Sequence, residues 1–332
     1  MSHIYYERDA DTALLCDETL AIVGYGNQGR SWALNLRDSG LAVQVCVRAD
    51  ETRERAREDG FAVAAIADAE DARVVCVLVP DDAIPGLGLR GHPDRLTIVA
   101  SGYSLAWGRF HPAGDVGMIA PRMLGPEVRA CYEEGIGFIS AIGIHADATG
   151  RALPRTLALA SALGALRQGA LALTPRQEAF LDLSVEQILS PALTHVNGAF
   201  VATMLGHGIP IEAVLTELFL SGEVERNYRM LREEGFVAQL DYHSPTSQYG
   251  QLSRRGAFDA LDFASLMRRI ADEIESGRFA DEWDAESRRG APALAALRER
   301  HAGPAIRAFE QALRDRLGPS VAARDDSGSG DG

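Results

Sequence analysis

Lysine is absent from this 332-residue sequence, so all 33 side chains counted as Lys or Arg are arginine. This absence excludes catalysis through a lysine Schiff base and the lysine-containing phosphate loop of the Walker type. The 33 arginines face 47 acidic side chains, which leaves a formal net charge of −14. Because a phosphate backbone binds to basic surfaces, the composition argues against nucleic acid as a partner.

Cysteine is also scarce, and the four residues Cys16, Cys46, Cys76 and Cys131 show no CxxC spacing. Cys46 and Cys76 lie in apolar segments, which predicts buried reduced thiols and argues against a disulfide framework or a zinc site. The polar N-terminal segment lacks the apolar stretch of a secretory signal. No uninterrupted apolar run approaches the ~18 residues of a membrane span. We therefore expect a cytoplasmic protein that does not act at a membrane.

The first half of the chain alternates short apolar runs with helical patterns. Runs rich in Val, Ile, Leu and Ala, typical of buried strands, occupy residues 19–23, 42–47, 73–79, 96–100, 117–120 and 137–144. Helical patterns at residues 28–39 and 52–59 lie between the first of these runs. This alternation predicts an α/β domain with a doubly wound parallel sheet over residues 1–176.

The second half has a different pattern, of helix after helix. The predicted helices cover residues 177–190, 191–207, 210–234, 257–276, 279–288 and 292–316. Proline at or near the start of several of them fits the first-turn preference of this residue. We predict an all-helical domain over residues 177–317 and a disordered tail, rich in Gly, Ser and Asp, over residues 318–332.

A GxGxxG motif follows the first apolar run and opens the first helix: Gly24-Tyr25-Gly26-Asn27-Gln28-Gly29. In such a motif the first glycine makes the tight turn, the second admits the pyrophosphate and the third allows close helix–strand packing. The N-terminus of the helix offers N–H groups to the anion. Because the flanking strand, helix and next strand all match, the motif predicts a dinucleotide site.

Charged residues at the end of the second apolar run bear on the choice between NADH and NADPH. Asp50 and Glu51 lie about 20 positions past the motif, where a carboxylate binds the ribose 2′-hydroxyl and repels a 2′-phosphate. Arg48 and Arg53 flank them and either clamp such a phosphate or remain solvated surface charges. We favour NADH and leave NADPH open.

Acidic residues in the helical half are candidate metal ligands. Asp182 and Glu186, four positions apart, share one face of a predicted helix. Further acids follow at Glu212, Glu217, Glu223 and Glu225. Carboxylate oxygens without a Cys/His cluster suit Mg²⁺. Since an i,i+4 acidic pair is more often a solvated face, the residues alone leave both interpretations open.

In their order along the chain, these motifs resemble the short bacterial class of the ketol-acid reductoisomerase family. The matching segments are GYGNQG at residues 24–29, VPDD at 79–82, MIAP at 118–121, YEEG at 132–135, DATG at 147–150, DLSVEQ at 182–187, SPTSQYG at 244–250 and IESGRFADEW at 274–283. The resemblance covers nearly the whole chain. It implies a Rossmann domain followed by a helical, knotted domain that forms a homodimer with an active site shared between the subunits.

The family's reaction migrates an alkyl group within a small 2-acetohydroxy acid and then reduces the product with NAD(P)H. Carried onto the matching positions, the resemblance implies Mg²⁺ ligands and catalytic residues at Asp182, Glu186 and Glu217, with Arg122 and Ser101 at two further catalytic positions. It implies substrate contacts at Ser244 and Gln248. Together with the motif and charge arguments, the expected cofactor-binding residues are Gly24, Tyr25, Gly26, Asn27, Gln28, Gly29, Arg48, Asp50, Glu51, Arg53, Pro80 and Asp82.

Four positions depart from the family's pattern where it carries chemistry. Ser101 stands where the family has histidine, and Arg122 and Gln248 stand where it usually has lysine and glutamate. Ala213 stands where the family has the first glutamate of a pair with Glu217; if Glu217 is itself the first, Ser221 fills the second place. Arginine keeps the charge of lysine, whereas the changes to serine and alanine remove groups that titrate or accept protons.

These losses bear on alkyl migration, which needs deprotonation of a tertiary alcohol between two metal ions. Hydride transfer needs only the nicotinamide, a polarised C=O or C=N bond and a proton donor. We therefore predict a reductase of a 2-keto acid or an imine with the migration step lost or altered. One alternative is an authentic family enzyme in which His111, His145, Glu212 or Glu223 fills the gaps. Another is a non-catalytic dinucleotide-binding scaffold or sensor.

Overall fold

The structure, a computed structural model, describes residues 2–302 and 304–317. The tail predicted at residues 318–332 lies outside the described residues. The chain divides into two compact units, Met1–Leu183 and Ser184–Gly332. The domain boundary expected at residue 176 falls in the first turn of the helical segment that begins at Pro175, and it stays a prediction.

Within the described residues of the first unit, nine strands form one sheet in the order β1-β9-β8-β7-β6-β5-β2-β3-β4. The strands are β1 Ile4–Tyr5, β2 Leu20–Val23, β3 Val43–Cys46, β4 Ala62–Ala64, β5 Val74–Val77, β6 Gly91–Val99, β7 Ala113–Pro121, β8 Ser140–Ala146 and β9 Ala170–Ala172. From β4 to β7 every neighbouring pair is parallel. The predicted α/β fold class with a doubly wound sheet is confirmed.

Three features of the sheet differ from the expected strand set. β8 runs antiparallel to β7, and β1 runs antiparallel to β9. An apolar run predicts that a strand is buried but not its direction, which depends on the path of the connecting chain. β1 and β4 were not predicted, because strands of two and three residues at the edges of a sheet have too short an apolar pattern to stand out.

The first unit also contains six α-helices among its described residues: α1 Asn27–Asp38, α2 Glu51–Glu58, α3 Tyr103–Ala106, α4 Gly125–Glu133, α5 Ala152–Leu163 and α6 Pro175–Ser184. The apolar residues of β2 alternate between two core clusters, with Leu20 and Ile22 in one and Ala21 and Val23 in the other. Because successive strand residues point to opposite faces, both faces of the sheet are covered.

Two cysteines of the core strands are buried and free, as predicted. Burial raises the pKa of the Cys46 thiol to about 11. Burial also raises the pKa of Cys76, which lies on β5 at the centre of the sheet. Both thiols are therefore packing residues rather than nucleophiles at neutral pH.

The second unit is helical, which confirms the helical character of this half; the knotted path stays a prediction. Its described α-helices are α7 Ser190–Gly206, α8 Ile211–Leu215, α9 Glu223–Glu233, α10 Phe236–Leu240, α11 Pro245–Arg254, α12 Phe263–Glu275, α13 Arg278–Arg288, α14 Pro292–Ala302 and α15 Pro304–Leu317. Two π-helical turns, Val185–Leu189 and Thr216–Leu220, adjoin α7 and α8.

Two predicted helix boundaries in this half were wrong. The helix expected over residues 210–234 is broken at Gly222, whose φ of 74° is a left-handed conformation that ends a helix. The break expected before Pro191 does not occur. Pro191 lies in the first turn of α7, directly after a π turn that changes the hydrogen-bonding pattern at that point.

The helical run Pro175–Gly206 is long and apolar enough, by length and composition alone, to cross a membrane. This run is not uninterrupted in the sequence, because polar residues such as Thr194 and Asn197 break its apolar pattern. A helix that packs inside a soluble protein or a subunit interface has the same composition, so the finding by itself does not indicate a membrane.

Candidate functional site

Five strands of the first unit end at the same edge of the sheet, because β3, β2, β5, β6 and β7 are parallel. One candidate residue follows each of these strands: Arg48, Gly24, Pro80, Ser101 and Arg122. β2 is the strand where the order reverses, since chain order continues on one side through β3 and on the other through β5. Ligands of doubly wound sheets bind at this carboxyl edge, beside such a switch point.

The glycines of the motif leave room for an anion at this point. Gly24 has φ 97°, and a Cβ there would lie 2.5 Å from the Leu78 carbonyl oxygen of the neighbouring strand connection. A Cβ on Gly29 would overlap the Gly24 carbonyl oxygen, so only glycine allows α1 to pack this closely. A Cβ on Gly26 would meet no atom within 4 Å. The open space beside Gly26, at the N-terminus of α1, fits the pyrophosphate of a dinucleotide.

The other predicted residues of the motif differ in what their side chains do. Asn27 is exposed. The Gln28 side-chain oxygen accepts a hydrogen bond of 3.2 Å from the indole N–H of the buried Trp32. Tyr25 is buried, and its hydroxyl donates to Asp59 at 2.8 Å. Only the backbone of Tyr25, and not its side chain, is therefore open to a ligand at the turn.

The charged residues after β3 interact mainly with one another and with α2. Asp50 is the N-cap of α2; it accepts from the backbone N–H of Thr52 at 3.1 Å and pairs with Arg48 at 3.4 Å. Hydrogen bonds from Thr52 are the main cause that lowers the pKa of Asp50. Arg53 donates to the Val47 carbonyl oxygen at 3.3 Å, whereas the Arg48 side chain is 82% exposed.

Two predicted residues follow β5 in an exposed turn. Pro80 and Asp82 are both exposed, and the Pro80 carbonyl accepts from the Ala83 N–H at 2.9 Å. This turn begins directly after Leu78 and Val79, the residues that a side chain on Gly24 would strike. Pro80 and Asp82 therefore lie beside the glycine turn, on the expected side of the switch point.

An ion-pair cluster brings together the expected catalytic residues of the first unit. The Arg122 guanidinium donates to Glu178 at 2.6 Å and to Asp182 at 2.8 Å. The second oxygen of Glu178 accepts from the Gly102 N–H at 2.7 Å. The hydroxyl of Ser101 accepts from the backbone N–H of Tyr103 at 3.2 Å. One arginine thus links β7 to two carboxylates of α6, and one of these holds the turn that carries Ser101.

Glu178, the central residue of this cluster, was not among the predicted site residues. Its side chain is 2% exposed. Burial raises the pKa of Glu178, against the opposing effects of the Gly102 N–H and of Arg122. A signal was present in the sequence, because Glu178, Asp182 and Glu186 are spaced by four and form an acidic row on a helix. We refer below to Arg122, Glu178, Asp182 and the Ser101–Gly102 turn as the Glu178 cluster.

Glu186 and Glu217, the other expected metal ligands, share an unusual local structure. Each is the second residue of a π-helical turn, Val185–Leu189 for Glu186 and Thr216–Leu220 for Glu217. Both residues lie outside the buried core. The π-helix is rare and occurs mostly as single turns, frequently at functional sites. Two carboxylates at matching positions of two such turns support a binding role.

The structure also places Ala213 and the four residues expected to fill the gaps in the alternative of an authentic family enzyme. Ala213 is exposed on α8, four residues before Glu217, and carries no polar group. The neighbouring Glu212 pairs with Arg316 at 3.9 Å, and Glu223 is the first residue of α9. His111 lies within hydrogen-bonding distance of the Gly108 carbonyl, at 3.0 Å, and His145 is exposed on β8. His111 and His145 therefore do not join the Glu178 cluster.

The two expected substrate residues lie at the start of α11. Ser244 is its N-cap, and the hydroxyl accepts from the Ser247 N–H at 3.3 Å. The Gln248 amide donates to the His243 carbonyl oxygen at 2.8 Å. The amide nitrogen of the buried Gln239 lies 2.8 Å from Nε2 of His243. Ser244 thus lies next to His243, which contacts both Gln239 and Gln248. Sequence reasoning missed this histidine because His243 lies in no recognisable motif.

The carboxylates fit Mg²⁺ by chemistry, since they are hard oxygen donors without nearby thiols. Asp182 gives one oxygen to Arg122, and its side chain is 41% exposed. Among residues 2–302 and 304–317 of a single chain, no three His, Cys, Asp or Glu side chains come together as a ligand set.

Family models match both halves of the chain. Residues 14–169 match the model described as acetohydroxy acid isomeroreductase, NADPH-binding domain. Residues 176–318 match the model described as ketol-acid reductoisomerase, C-terminal domain. The chain belongs to the ketol-acid reductoisomerase family. The predicted family is therefore confirmed.

Relatives of known name agree with this assignment. The chain is 36% identical over 292 residues to a ketol-acid reductoisomerase (NADP(+)) of Caldivirga maquilingensis, with 85% of this chain and 88% of the relative covered. It is 32% identical over 328 residues to one of Methanocaldococcus jannaschii, with 96% and 99% covered. A solved NADH-preferring ketol-acid reductoisomerase from an uncultured archaeon superposes with a TM-score of 0.87 at 28% identity, covering 94% and 98%.

Membership in this family settles the general class of the protein. It is an oxidoreductase with a nicotinamide cofactor, as predicted, and the alternative of a non-catalytic scaffold finds no support. The glycine turn at residues 24–29 provides the matching geometry at the carboxyl edge of the sheet.

Proposed function

We propose that this ketol-acid reductoisomerase relative reduces the C=O bond of a 2-keto acid, or a C=N bond, with the alkyl-migration step lost or altered. The observation that carries the proposal is the Glu178 cluster. There a guanidinium neutralises Asp182, and Ser101 accepts a hydrogen bond from its own turn. Migration needs a base and strongly anionic metal ligands, whereas hydride transfer does not.

Separate groups of residues are proposed to bind the cofactor, position the catalytic groups, hold the metal ion and contact the substrate. The turn around Gly26 and the N-terminus of α1 bind the pyrophosphate and so orient the nicotinamide. Glu178 and Arg122 hold Asp182 and the Ser101 turn in place. Asp182, Glu186 and Glu217 are the residues that would hold Mg²⁺, which supplies Lewis-acid polarisation of the substrate oxygen. Ser244 and Gln248 are proposed to contact the substrate.

A second candidate is the authentic ketol-acid reductoisomerase reaction. It is favoured by the end-to-end similarity to enzymes of that name, which covers 85–96% of this chain in the two relatives described above. In that case the proton transfers of migration proceed without a histidine at position 101 and without a carboxylate at position 213.

Parallel assays of two substrates separate these candidates. We expect NADH oxidation with Mg²⁺ and 3-hydroxy-3-methyl-2-oxobutanoate, the already isomerised compound, but at least about 100-fold slower oxidation with 2-acetolactate, because positioned acid–base groups contribute about 10²–10⁴-fold. Comparable turnover of both compounds would establish the second candidate. Turnover of neither by a protein that binds NADH would rule out this keto acid and direct the search to imines.

The double variant Ser101→His with Ala213→Glu tests the cause of the difference. We expect it to gain 2-acetolactate turnover while its rate with the isomerised compound stays within about threefold. The matched control is His111→Ser, which removes an exposed histidine of the same unit outside the Glu178 cluster. No gain of turnover in the double variant would contradict the role assigned to these two positions.

We further propose a preference for NADH, with NADPH as a weaker cofactor, because Asp50 and Glu51 place negative charge at the start of α2. The similarity to an NADH-preferring enzyme supports this choice. Glu51→Gln is expected to raise kcat/KM with NADPH about tenfold relative to NADH, since about 1.4 kcal/mol of repulsion is removed. Glu58→Gln at the other end of α2 is the control and should change neither value. Arg48→Gln should act in the opposite direction, and an unchanged ratio in Glu51→Gln would refute the proposal.

We also propose a homodimer, located in the cytoplasm, with an active site completed by the second subunit. No residue of α7 is buried within one chain, and Leu193, Val196, Phe200 and Leu205 are 41–46% exposed. An apolar helix that is exposed on all sides within one chain marks a subunit interface. Light scattering should give twice the chain mass of 35.7 kDa. Phe200→Glu should give the monomer, whereas Leu124→Glu, on the first unit, should not; a monomeric wild type would refute the dimer.

A further inference from the structure

A buried tyrosine ties the glycine turn to the far end of α2. The Tyr25 hydroxyl donates to Asp59 at 2.8 Å. Arg30, on the first turn of α1, binds the same carboxylate with two nitrogens, at 2.7 and 2.9 Å. Asp59 is the C-cap of α2. Tyr25 of the glycine turn and Arg30 of α1 therefore both bind the carboxylate of Asp59, the C-cap of α2. We call these three residues the Asp59 clamp.

Packing around the Asp59 clamp holds the tyrosine ring. The side chain of Tyr25 is 1% exposed, and its ring meets Phe61 edge-on at a centroid distance of 5.9 Å. Arg37 covers Phe61 at 5.2 Å and donates to the Asp59 carbonyl oxygen at 2.7 Å. Burial is the main cause that raises the pKa of Tyr25, so its hydroxyl stays a neutral donor throughout the physiological range.

Because Tyr25 lies within the glycine motif, its bond to Asp59 can fix the conformation of the turn. Gly24 and Gly26 flank it, and neither has a side chain that fixes the turn. Glycine is also the residue with the most conformational freedom to lose on folding. A neutral donor to a carboxylate that is already paired with arginine forms a strong, charge-assisted bond. Tyr25 is thus a side-chain anchor between the first two glycines of the turn.

Helix α2 connects the Asp59 clamp to the residues proposed to bind the adenosine ribose of the cofactor. Its N-terminus carries Asp50 and Glu51, the residues proposed to lie at the adenosine ribose, and its C-cap is Asp59. Movement of Asp59 would shift the glycine turn and α2 relative to each other. The distance between the pyrophosphate site and the ribose site depends on the relative position of the glycine turn and α2.

We propose that Tyr25, Arg30 and Asp59 are positioning residues for the dinucleotide, which hold the glycine turn in its binding conformation and set its distance from α2. They act through the backbone of the turn, without contact to the cofactor. The inference rests on the use of a nicotinamide dinucleotide and is independent of the substrate.

The test is direct titration of NADH into the full-length protein by calorimetry, with Tyr25→Phe as the main variant. This change removes one hydroxyl and keeps the ring on Phe61. We expect Kd to rise about tenfold, because a hydrogen bond to a charged group is lost from the bound conformation. At saturating NADH, kcat and the KM for the keto acid should stay within about twofold. A change that only lowered stability would reduce the active fraction and leave Kd of the folded protein unchanged.

Two further variants complete the design. Asp59→Ala removes the acceptor of the Tyr25 hydroxyl and should raise Kd at least as much as Tyr25→Phe. The double variant should be no worse than Asp59→Ala alone, because either change removes the bond between these two side chains. Glu54→Gln is the matched control on α2; it removes an exposed ion pair with Arg57 and should leave Kd unchanged.

The outcomes separate this inference from the proposed function. An unchanged Kd in Tyr25→Phe, or fully additive effects of Tyr25→Phe and Asp59→Ala, would overturn the positioning role. A wild-type protein that binds neither NADH nor NADPH would instead refute the cofactor site itself. Because the titration contains no substrate, the result does not depend on which reaction the enzyme performs.

Discussion

Replacing Gly26 by alanine is expected to weaken NADH binding by about 100-fold without destabilising the protein. The backbone of Gly26 has φ −80°, which alanine adopts without strain, and an added Cβ meets no protein atom within 4 Å. The melting temperature should therefore stay within about 2 °C of the wild type. The methyl group would occupy the space that we assign to the pyrophosphate and keep it away from the N–H groups of α1. A loss of about 2.8 kcal/mol of binding free energy corresponds to about 100-fold in Kd.

Gly29→Ala is the matched comparison, because its Cβ would overlap the Gly24 carbonyl oxygen. The variant should bind NADH as poorly as Gly26→Ala. It should also lose about 1–3 kcal/mol of unfolding free energy, since α1 must move away from β2. Calorimetry and thermal denaturation of the two variants measure affinity and stability separately. Normal NADH affinity in Gly26→Ala would show that the pyrophosphate does not lie at this turn.

Removal of Glu178 should have the second large effect, on both activity and stability. In Glu178→Ala the Gly102 N–H and one side of Arg122 lose their acceptor. We expect kcat/KM to fall about 100-fold, because Asp182 and the Ser101 turn lose the group that positions both of them. The free energy of unfolding should fall by about 2–4 kcal/mol, less than for a fully buried pair because Arg122 is 25% exposed. Steady-state kinetics and urea denaturation measure the two losses.

Glu178→Gln separates the charge of this residue from its hydrogen bonds. The amide oxygen can still accept from Gly102, so the loss of kcat/KM should be about tenfold rather than about 100-fold. Glu133→Gln is the control, because the exposed Glu133 lies outside the Glu178 cluster and pairs with Arg129 at 2.8 Å. Wild-type kinetics in Glu178→Ala would remove the Glu178 cluster from the mechanism.

Glu178→Gln should also change how the free energy of unfolding depends on pH. Burial raises the pKa of Glu178 above its ordinary value of 4.5, so the folded protein holds this proton more tightly than the unfolded chain does. The proton-linked part of the contribution of Glu178 to stability is therefore present below pH 4.5 and declines as the pH rises towards the raised pKa. Glu178→Gln lacks this decline. Its unfolding free energy relative to the wild type should increase with pH over that window.

Part of the site follows from local sequence. The GxGxxG motif, with a strand before it and a helix after it, predicts a dinucleotide site because the turn needs glycine at its three positions. The structure shows why for two of them: Gly24 has a left-handed φ, and Gly29 packs against the Gly24 carbonyl. The alternation of buried strands with helices likewise predicts the α/β class. These features depend on residues that are close in sequence, so a short stretch of chain contains the information.

Other features depend on residues that are distant in sequence. Glu178 meets Gly102 across 76 positions and Arg122 across 56, and Tyr25 meets Asp59 across 34. The antiparallel direction of β8 has the same origin, because it depends on how the chain between β7 and β8 turns. No local pattern contains these pairings, since they form only when the backbone path brings the segments together.

The sequence by itself thus determined the family, the fold class, the glycine turn and the candidate carboxylates of this protein. The tertiary structure alone decided which of these side chains have partners within the protein. It showed that Asp182 binds Arg122, that Asp50 caps α2 and that the hydroxyl of the buried Tyr25 donates to Asp59. The physical reason is that residue type sets what a side chain can bind, whereas its burial and neighbours decide what it does bind.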